Sequence, residues 1–266
     1  MPVPALELTH VSRSFVAPGR GEYRALEDVS LAVPTGAFVA IVGPSGCGKS
    51  TLLNIAAGLL APTGGSVSVG GTPLSGINRR ATYMFQEDAL LPWKDVRENV
   101  ALGLTFAGVG RADARARADA WLTRVGLDAF ARHFPAQLSG GMRKRVAMAQ
   151  NWILDRDVLL MDEPFSALDI HTRQRMEGEL LALWGESRKT IVFVTHDLEE
   201  AIALADEVVV LSAGPASRVV SRHAVPLERP RDLLDLRTEP AFADLYRSIW
   251  VDLRQEVIKS HASGRQ

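Results

Sequence analysis

The stretch Gly43-Pro44-Ser45-Gly46-Cys47-Gly48-Lys49-Ser50-Thr51 decides the fold, because its flanking segments place it between a strand and a helix. The run 37–42 before it (AFVAIV) is apolar throughout, which is typical of a central strand covered on both faces. The apolar residues at 52–56 predict a buried helix that ends near Gly58. This order predicts an α/β domain built on a parallel sheet.

The spacing within this loop indicates a phosphate-binding site. Gly43 is followed after four residues by Gly48, Lys49 and Ser50. Glycines allow the backbone to curl and point its N–H groups at phosphate oxygens. Lys49 supplies a point charge for the β- and γ-phosphates, and Ser50 offers a hydroxyl to Mg²⁺. A plain glycine-rich turn with a surface lysine is the alternative, but the flanking strand and helix disfavour it. The expected ATP contacts are Gly43, Pro44, Ser45, Gly46, Cys47, Gly48, Lys49, Ser50 and Thr51.

A second chemical signal is a pair of carboxylates at the end of another apolar run. Residues 158–161 (VLLM) predict a buried strand, and Asp162 and Glu163 follow it. Because side chains alternate along a strand, the two carboxylates should serve different purposes. We expect Asp162 to hold Mg²⁺ or its water, and Glu163 to polarise the attacking water as a general base.

The remaining pattern predicts how the chain is organised. Strand-like runs at 190–195 and 208–211 alternate with helical stretches, as in crossover units on a parallel sheet. The stretch from about 95 to 154 has helical patterns instead, so we expect an α-helical subdomain inserted into the α/β core. The predicted boundaries are 1–222 for the domain that holds the phosphate-binding loop and 223–266 for a C-terminal linker and helical tail.

A third motif, Leu138-Ser139-Gly140-Gly141-Met142, lies where a helix is predicted to begin. Ser139 is a good N-cap, and the free N–H groups of a helix start can bind a phosphate. Two phosphate sites in one chain, each lacking the catalytic groups of the other, suggest a head-to-tail pair of chains with ATP between them.

This motif resembles the signature of the ATP-binding cassette (ABC) ATPases, and further motifs match that family in order over about residues 5–222. The resemblance implies a P-loop NTPase fold: a RecA-like core with an N-terminal antiparallel β subdomain and the inserted helical subdomain. It implies four more roles: adenine stacking for Phe15, a Q-loop contact to Mg²⁺ and the γ-phosphate for Gln86, a D-loop ending at Asp169, and a switch histidine at His196. Glu163, His196 and Gln86 are thus the expected catalytic residues. Ser50, Gln86 and Asp162 are the expected Mg²⁺ ligands. Ser139, Gly140, Gly141 and Asp169 are the expected contacts to the partner chain's ATP.

Three positions leave alternatives open. Tyr23 is a rival to Phe15 for stacking on adenine. Met142 stands where the family usually has Gln or a similar polar residue, so a side-chain hydrogen bond to the nucleotide is in question there. For Cys47, positive potential in the loop would lower the pKa of the thiol, but filling a tight turn is the preferred interpretation.

Composition and charge narrow the biological context. The 266 residues include 30 Lys+Arg, 31 Asp+Glu and one Cys, which gives a net charge of −1. This balance disfavours a nucleic-acid partner, and a single cysteine cannot form an internal disulfide, as is usual for a cytosolic chain. The longest apolar runs fall well short of the roughly 18 residues that span a bilayer. By resemblance, such a chain is the ATPase subunit of a transporter, on the cytoplasmic face of the cell membrane.

The segment 86–93 (QEDALLPW) narrows the resemblance to importers of nitrate, sulfonates, taurine and related small anions. This group implies a dimer of ATPase subunits, either a homodimer or a heterodimer with a paralogue. It also implies permease subunits that contact 86–93, and an extracytoplasmic solute-binding protein. The alternative is a non-transport ABC ATPase, linked to iron–sulfur assembly or to nucleic acid.

Overall fold

The computed structural model describes residues 2–17 and 21–263, which form two sheets and an attached group of helices. The strands are β1 Leu6–Ala17, β2 Gly21–Val33, β3 Phe38–Val42, β4 Gly64–Val69, β5 Thr72–Pro73, β6 Ala81–Met84, β7 Val158–Asp162, β8 Thr190–Val194, β9 Glu207–Leu211 and β10 Val219–Ala224. The helices are α1 Lys49–Ala56, α2 Val96–Phe106, α3 Arg111–Arg124, α4 Gly140–Trp152, α5 Ile170–Ser187, α6 Leu198–Leu204, α7 Leu233–Leu236 and α8 Pro240–Ser263.

The central sheet has the order β10-β9-β3-β8-β7-β6, and all its strand pairs are parallel except β10 with β9. All five residues of β3 are buried because both of its faces are covered. Phe38, Ala40 and Val42 pack on one side with side chains of α5, α6 and α8. Val39 and Ile41 pack on the other side with α1 and the second sheet. The predicted parallel α/β core is confirmed.

The second sheet is antiparallel, with the order β2-β1-β4-β5. It packs its buried side chains, including Leu6, Leu8 and Leu31, into the same cluster as α1. This arrangement matches the N-terminal β subdomain that the family resemblance implied.

The helices α2, α3 and α4 form a separate apolar cluster. Asp95 caps α2 in a capping box with Glu98, and the Ser139 hydroxyl accepts a hydrogen bond from the Met142 N–H at 3.3 Å. The predicted N-cap at Ser139 is therefore confirmed. Gly103 has no room for a side chain, because a Cβ there would lie 2.7 Å from Leu154, so α2 closely approaches the end of α4.

The C-terminal tail packs on the core. Phe242, Ile249 and Leu253 of α8 are buried in the cluster that also holds α5 and α6. β10 spans residue 222, where the sequence predicts the end of the first domain, and its residues alternate between half-buried and exposed. In the described part of the chain, no helix combines the length and the hydropathy needed to cross a membrane.

Candidate nucleotide-binding and hydrolysis site

Three neighbouring strands of the parallel sheet bring the predicted groups to one edge. β8 lies between β3 and β7, and all three run in the same direction. The phosphate loop follows β3, Asp162 and Glu163 end β7, and His196 follows β8. Since the carboxyl ends of parallel strands share one edge, residues far apart in sequence form a single site there.

The phosphate loop has the backbone that its glycines predict. Gly46 and Gly48 have φ values of +77° and +97°. A Cβ on Gly48 would lie 2.9 Å from Leu26, so a larger residue would be both strained and crowded. The Lys49 ammonium is buried and donates to the carbonyls of Gly43 at 2.9 Å and Pro44 at 3.1 Å. The Lys49 ammonium thus lies inside the loop, where phosphate oxygens can replace the two carbonyls as its hydrogen-bond acceptors.

Ser50 and Asp162 form a site that suits Mg²⁺. The Ser50 hydroxyl donates to Asp162 Oδ1 at 3.0 Å, and the Tyr83 hydroxyl donates to Oδ2 at 3.1 Å. Burial raises the pKa of Asp162 above its usual value, while the hydrogen bonds from Ser50 and Tyr83 oppose this shift. A half-buried carboxylate beside a hydroxyl is the hard oxygen set that Mg²⁺ takes together with nucleotide phosphates. The donor set therefore fits the ion.

Glu163 and His196 form a second pair beside the first. His196 Nδ1 lies 2.8 Å from Glu163 Oε2, and the Glu163 N–H donates to the Val194 carbonyl at 2.9 Å. Glu163 has a φ of +43°, which is uncommon for a residue with a side chain. This backbone conformation ends the alternation of side chains along β7 at Asp162. The Glu163 carboxylate therefore contacts His196, whereas the Asp162 carboxylate contacts Ser50 and Tyr83.

Gln86 lies at the edge of this site. Its amide donates to the Ser166 hydroxyl at 3.4 Å, and that hydroxyl donates to the Glu163 carbonyl at 3.0 Å. Ser166 therefore bridges the Gln86 side chain and the Glu163 backbone. The structure brings together the predicted Mg²⁺, general-base and sensor groups along one edge.

The segment after Gln86 is tied to the start of α4 by three cation contacts. The Arg143 guanidinium and the Lys144 ammonium each lie 2.9 Å from the Asp88 carboxylate. Lys144, which is only 3% exposed, also donates to the Gln86 carbonyl at 2.7 Å. Arg143 donates in addition to the Leu138 carbonyl at 2.8 Å, just before Ser139. Gln86 and the signature motif are thus joined by a charged network around Asp88.

The signature residues lie in a different cleft from the phosphate loop. Ser139, Gly140, Gly141 and Asp169 line a cleft of about 450 Å³, together with residues from the start of α5. Asp169 caps α5 by accepting from the Thr172 N–H at 3.0 Å, and this hydrogen bond lowers the pKa of its carboxyl. No residue of 43–51 lines this cleft in the described chain. The two predicted phosphate sites are therefore separate within one chain.

Phe15 and Tyr23 are cross-strand partners on β1 and β2, and both are exposed, at 37% and 48%. The Arg13 guanidinium covers one face of the Phe15 ring at 4.7 Å. The Tyr23 hydroxyl lies near the phosphate loop, because Gly214 is next to both of them. A Cβ built on Gly214 would lie 3.4 Å from that hydroxyl and 3.4 Å from the Gly46 carbonyl oxygen. Each ring thus keeps an exposed surface, and both candidates for adenine stacking remain.

The surroundings of Cys47 favour one of its two interpretations. Burial raises the pKa of this thiol, and the nearby Lys49 charge only partly offsets that effect, which argues against the alternative of a lowered pKa. The side chain is fully buried, and its Sγ would lie 2.8 Å from a Cβ on Gly43. Filling a tight turn is the role that this packing supports.

Two features of the site carried no clear sequence signal. The Tyr83 hydroxyl reaches Asp162 because β6 pairs with β7, and no motif in the sequence indicates that contact. The contacts of Asp88 with Arg143 and Lys144 join segments 55 and 56 residues apart. The run of three basic residues at 143–145 was the only available clue to a nearby acid.

Comparison with known proteins agrees with this geometry. The ABC transporter family profile matches residues 26–166. The chain is 44% identical over 248 residues to the taurine import ATP-binding protein TauB of Rhizobium johnstonii, covering 92% of this chain and 94% of that one. It is 41% identical over 237 residues to the nitrate import ATP-binding protein NrtD of Synechococcus elongatus, covering 88% and 86%.

Solved structures show the same likeness. The dimeric structure of MJ0796, a bacterial ABC transporter cassette, is 33% identical, with a TM-score of 0.73 over 84% of this chain and 100% of that chain. A dimeric post-hydrolysis state of the same cassette bound to ADP and Pi superposes with a TM-score of 0.72. The chain described here therefore belongs to the ABC transporter family and is an ATPase cassette of that family.

Proposed function

We propose that this chain is the ATP-hydrolysing subunit of an importer for a small anion, and that it drives separate membrane permease subunits from the cytoplasmic face. The observation that carries the catalytic part is the convergence of Lys49, Asp162, Glu163 and His196 at one sheet edge. A cation for phosphate, a carboxylate for Mg²⁺ and a carboxylate–imidazole pair are the groups that hydrolysis of a phosphoanhydride requires.

In the proposed mechanism, the loop amides and Lys49 bind the phosphates, and Lys49 leaves the carbonyls of Gly43 and Pro44 to do so. Ser50, Asp162 and Gln86 would hold Mg²⁺, which would neutralise developing charge on the phosphates. Glu163 accepts a proton from the attacking water through its carboxylate. His196 keeps that carboxylate oriented through the 2.8 Å contact and contacts the γ-phosphate.

The separation of the two phosphate sites supports a head-to-tail dimer, either of identical chains or with a paralogue. Ser139, Gly140 and Gly141 present a hydroxyl and N–H groups at the start of α4, where a partner's γ-phosphate would be bound. Backbone donors do not depend on the residue at 142, so Met142 is compatible with this contact. Asp169 would contact the partner across the same interface.

A groove beside the Gln86 segment supports permease docking. It has a volume of about 360 Å³ between β6, α2 and α4, and its walls include Phe85, Ala89, Phe106 and Leu154. Phe85, Trp93 and Phe106 are 44%, 71% and 81% exposed, which is unusual for side chains of this size. An apolar segment of a membrane protein seated in this groove would bury Phe85 and Phe106, and it could extend to Trp93, which lies outside the groove lining. Asp88 lines the groove, so a movement of the bound segment would move Asp88 together with its partners Arg143 and Lys144.

The similarity to taurine and nitrate import proteins supports a small anion as the solute. The ATPase subunit does not itself select the solute, so the partner solute-binding protein defines it.

Trp93→Glu tests the proposal, with Trp250→Glu as a matched control because Trp250 is 39% exposed on α8, in the tail. We expect Trp93→Glu to abolish co-purification with the permease subunits of the proposed importer while ATP binding stays intact. Trp250→Glu should co-purify normally. Equal recovery of the permease with Trp93→Glu would contradict docking at 86–93, and a chain that assembles only with non-membrane partners would favour the non-transport alternative.

A further inference from the structure

A groove at the end of α5, about 420 Å³ in volume, has an excess of positive charge that the ATPase site does not use. Three arginines line it, Arg188, Arg229 and Arg231, with Glu186 as the one acidic side chain among its described walls. Glu186 is already paired with Arg124 of α3.

The charges of these arginines are only partly balanced. Arg229 pairs with Asp206 at 2.8 Å and stacks on the Trp184 ring at 4.2 Å, so the unbalanced charge is that of Arg188 and Arg231. Among the described residues, Arg231 binds backbone carbonyls, and its buried Nε has no hydrogen-bond partner there. In the described chain, no carboxylate lies within 4.0 Å of the Arg188 guanidinium, which rests on the Trp184 ring at 4.6 Å.

The cations also lie close enough to affect one another. Burial lowers the pKa of Arg229, the pairing with Asp206 opposes that shift, and the neighbouring Arg188 adds to it. Burial likewise lowers the pKa of Arg231, to about 10, with Arg229 adding to that shift. Both side chains stay protonated at neutral pH, so the groove carries a net positive potential that an anion would relieve.

The shape of the groove selects a type of anion. Leu181, Ala182 and Pro230 give it an apolar wall. Gly178 and Gly185 leave it open, because a Cβ on either would meet no atom within 4 Å. A ligand with a charged head and a short apolar body would match the arginines and this wall together.

We propose that Arg188, Arg229 and Arg231 form a binding site for a small organic anion, a sulfonate or carboxylate with a short apolar chain. Arg188 is the main ligand, since it is exposed and has no acidic partner among the residues that the structure describes. Arg231 donates to the carbonyls of Ile202 and Ala203 at the end of α6, at 3.2 and 3.0 Å. An anion bound to Arg231 would therefore contact the same guanidinium as the end of α6. This helix begins just after His196 and Asp197. This site is independent of the proposed ATPase function.

Calorimetric titration of the full chain with propane-1-sulfonate tests the proposal. The wild-type chain should bind one equivalent, and Arg188→Gln should bind at least about tenfold more weakly, as expected for loss of a charge-assisted contact. Arg247→Gln, which removes an exposed charge of α8, is the matched control and should bind as the wild type does. Propylammonium, with the same body and the opposite charge, should not bind.

Equal affinities of the wild type and Arg188→Gln would overturn the proposal, and so would equal binding of propylammonium. If the phosphate loop alone bound the sulfonate, the wild type and Arg188→Gln would have equal affinities, because Arg188 lies outside that loop. Arg188→Lys keeps the charge without the planar fork and should bind more tightly than Arg188→Gln, which separates loss of charge from misfolding.

Discussion

The contact between Asp88 and Lys144 should stabilise the fold and hold Gln86 in place, and a double-mutant cycle can measure both effects. Lys144 is 3% exposed, and its described partners are Asp88 and the Gln86 carbonyl, at 2.9 and 2.7 Å. Removing one partner of a fully buried ion pair costs about 3–5 kcal/mol. Because Asp88 is one-fifth exposed and asparagine can still accept hydrogen bonds, we expect Asp88→Asn to cost about 2–3 kcal/mol.

The second arm of the cycle removes the cation. Lys144→Met leaves Asp88 paired with Arg143, so its cost should be lower, about 1–2 kcal/mol. The double variant removes both charges, and its cost should fall below the sum of the single costs by about 1–2 kcal/mol. Urea unfolding followed by circular dichroism measures these differences, with Arg247→Gln as an exposed control expected near zero.

Turnover gives the second readout of the cycle. Either single change removes part of the attachment of the Gln86 segment to α4, so both should lower kcat, while Arg247→Gln should not. Additive stability costs, or single variants with wild-type turnover, would refute the idea that Asp88 and Lys144 act as one unit.

Three further predictions concern other parts of the molecule. Phe15→Ala should raise the KM for ATP more than Tyr23→Ala does if Phe15 stacks on adenine, at a cost of about 1–3 kcal/mol of binding, and the reverse order in a kinetic comparison would assign stacking to Tyr23. Burial raises the pKa of Glu200 from 4.5 to about 8, so the folded state binds the extra proton and stability should fall by up to about 1.4 kcal/mol per pH unit between those values. Glu200→Gln should flatten that part of the stability curve, and an unchanged slope would show that Glu200 does not titrate there. The buried Cys47 thiol should react with iodoacetamide at least about 100-fold more slowly in the native chain than in urea, and equal rates would contradict its burial.

The parallel core and the phosphate loop could be predicted because their signals are local. The all-apolar run before Gly43 and the glycine pattern after it determine strand, loop and helix within about twenty residues. The same holds for Ser139, because its capping hydroxyl and the apolar residues at helical spacing that follow it belong to one helix, α4. Each of these elements is specified by neighbours in the chain, so no tertiary information is needed to recognise it.

Other features could not be predicted because they depend on strand order and packing. The proximity of Glu163 and His196 required the family resemblance, since sequence alone does not say that β7 and β8 are adjacent. Tyr83 reaches Asp162 only because β6 is the edge strand beside β7. For Cys47, the charge of Lys49 was visible in the sequence, but the burial that outweighs it was not. Long-range contacts of this kind also explain the arginine groove, which unites the end of α5 with the tail.

The most direct test of the central claim is the behaviour of Glu163→Gln with ATP and Mg²⁺. Glutamine keeps the shape of the side chain but cannot accept the proton of the attacking water. We predict that turnover falls by at least about 100-fold while ATP still binds, and that light scattering on size exclusion detects a stable ATP-bound dimer. Turnover equal to that of the wild-type chain would contradict the assignment of Glu163 as the general base of this site.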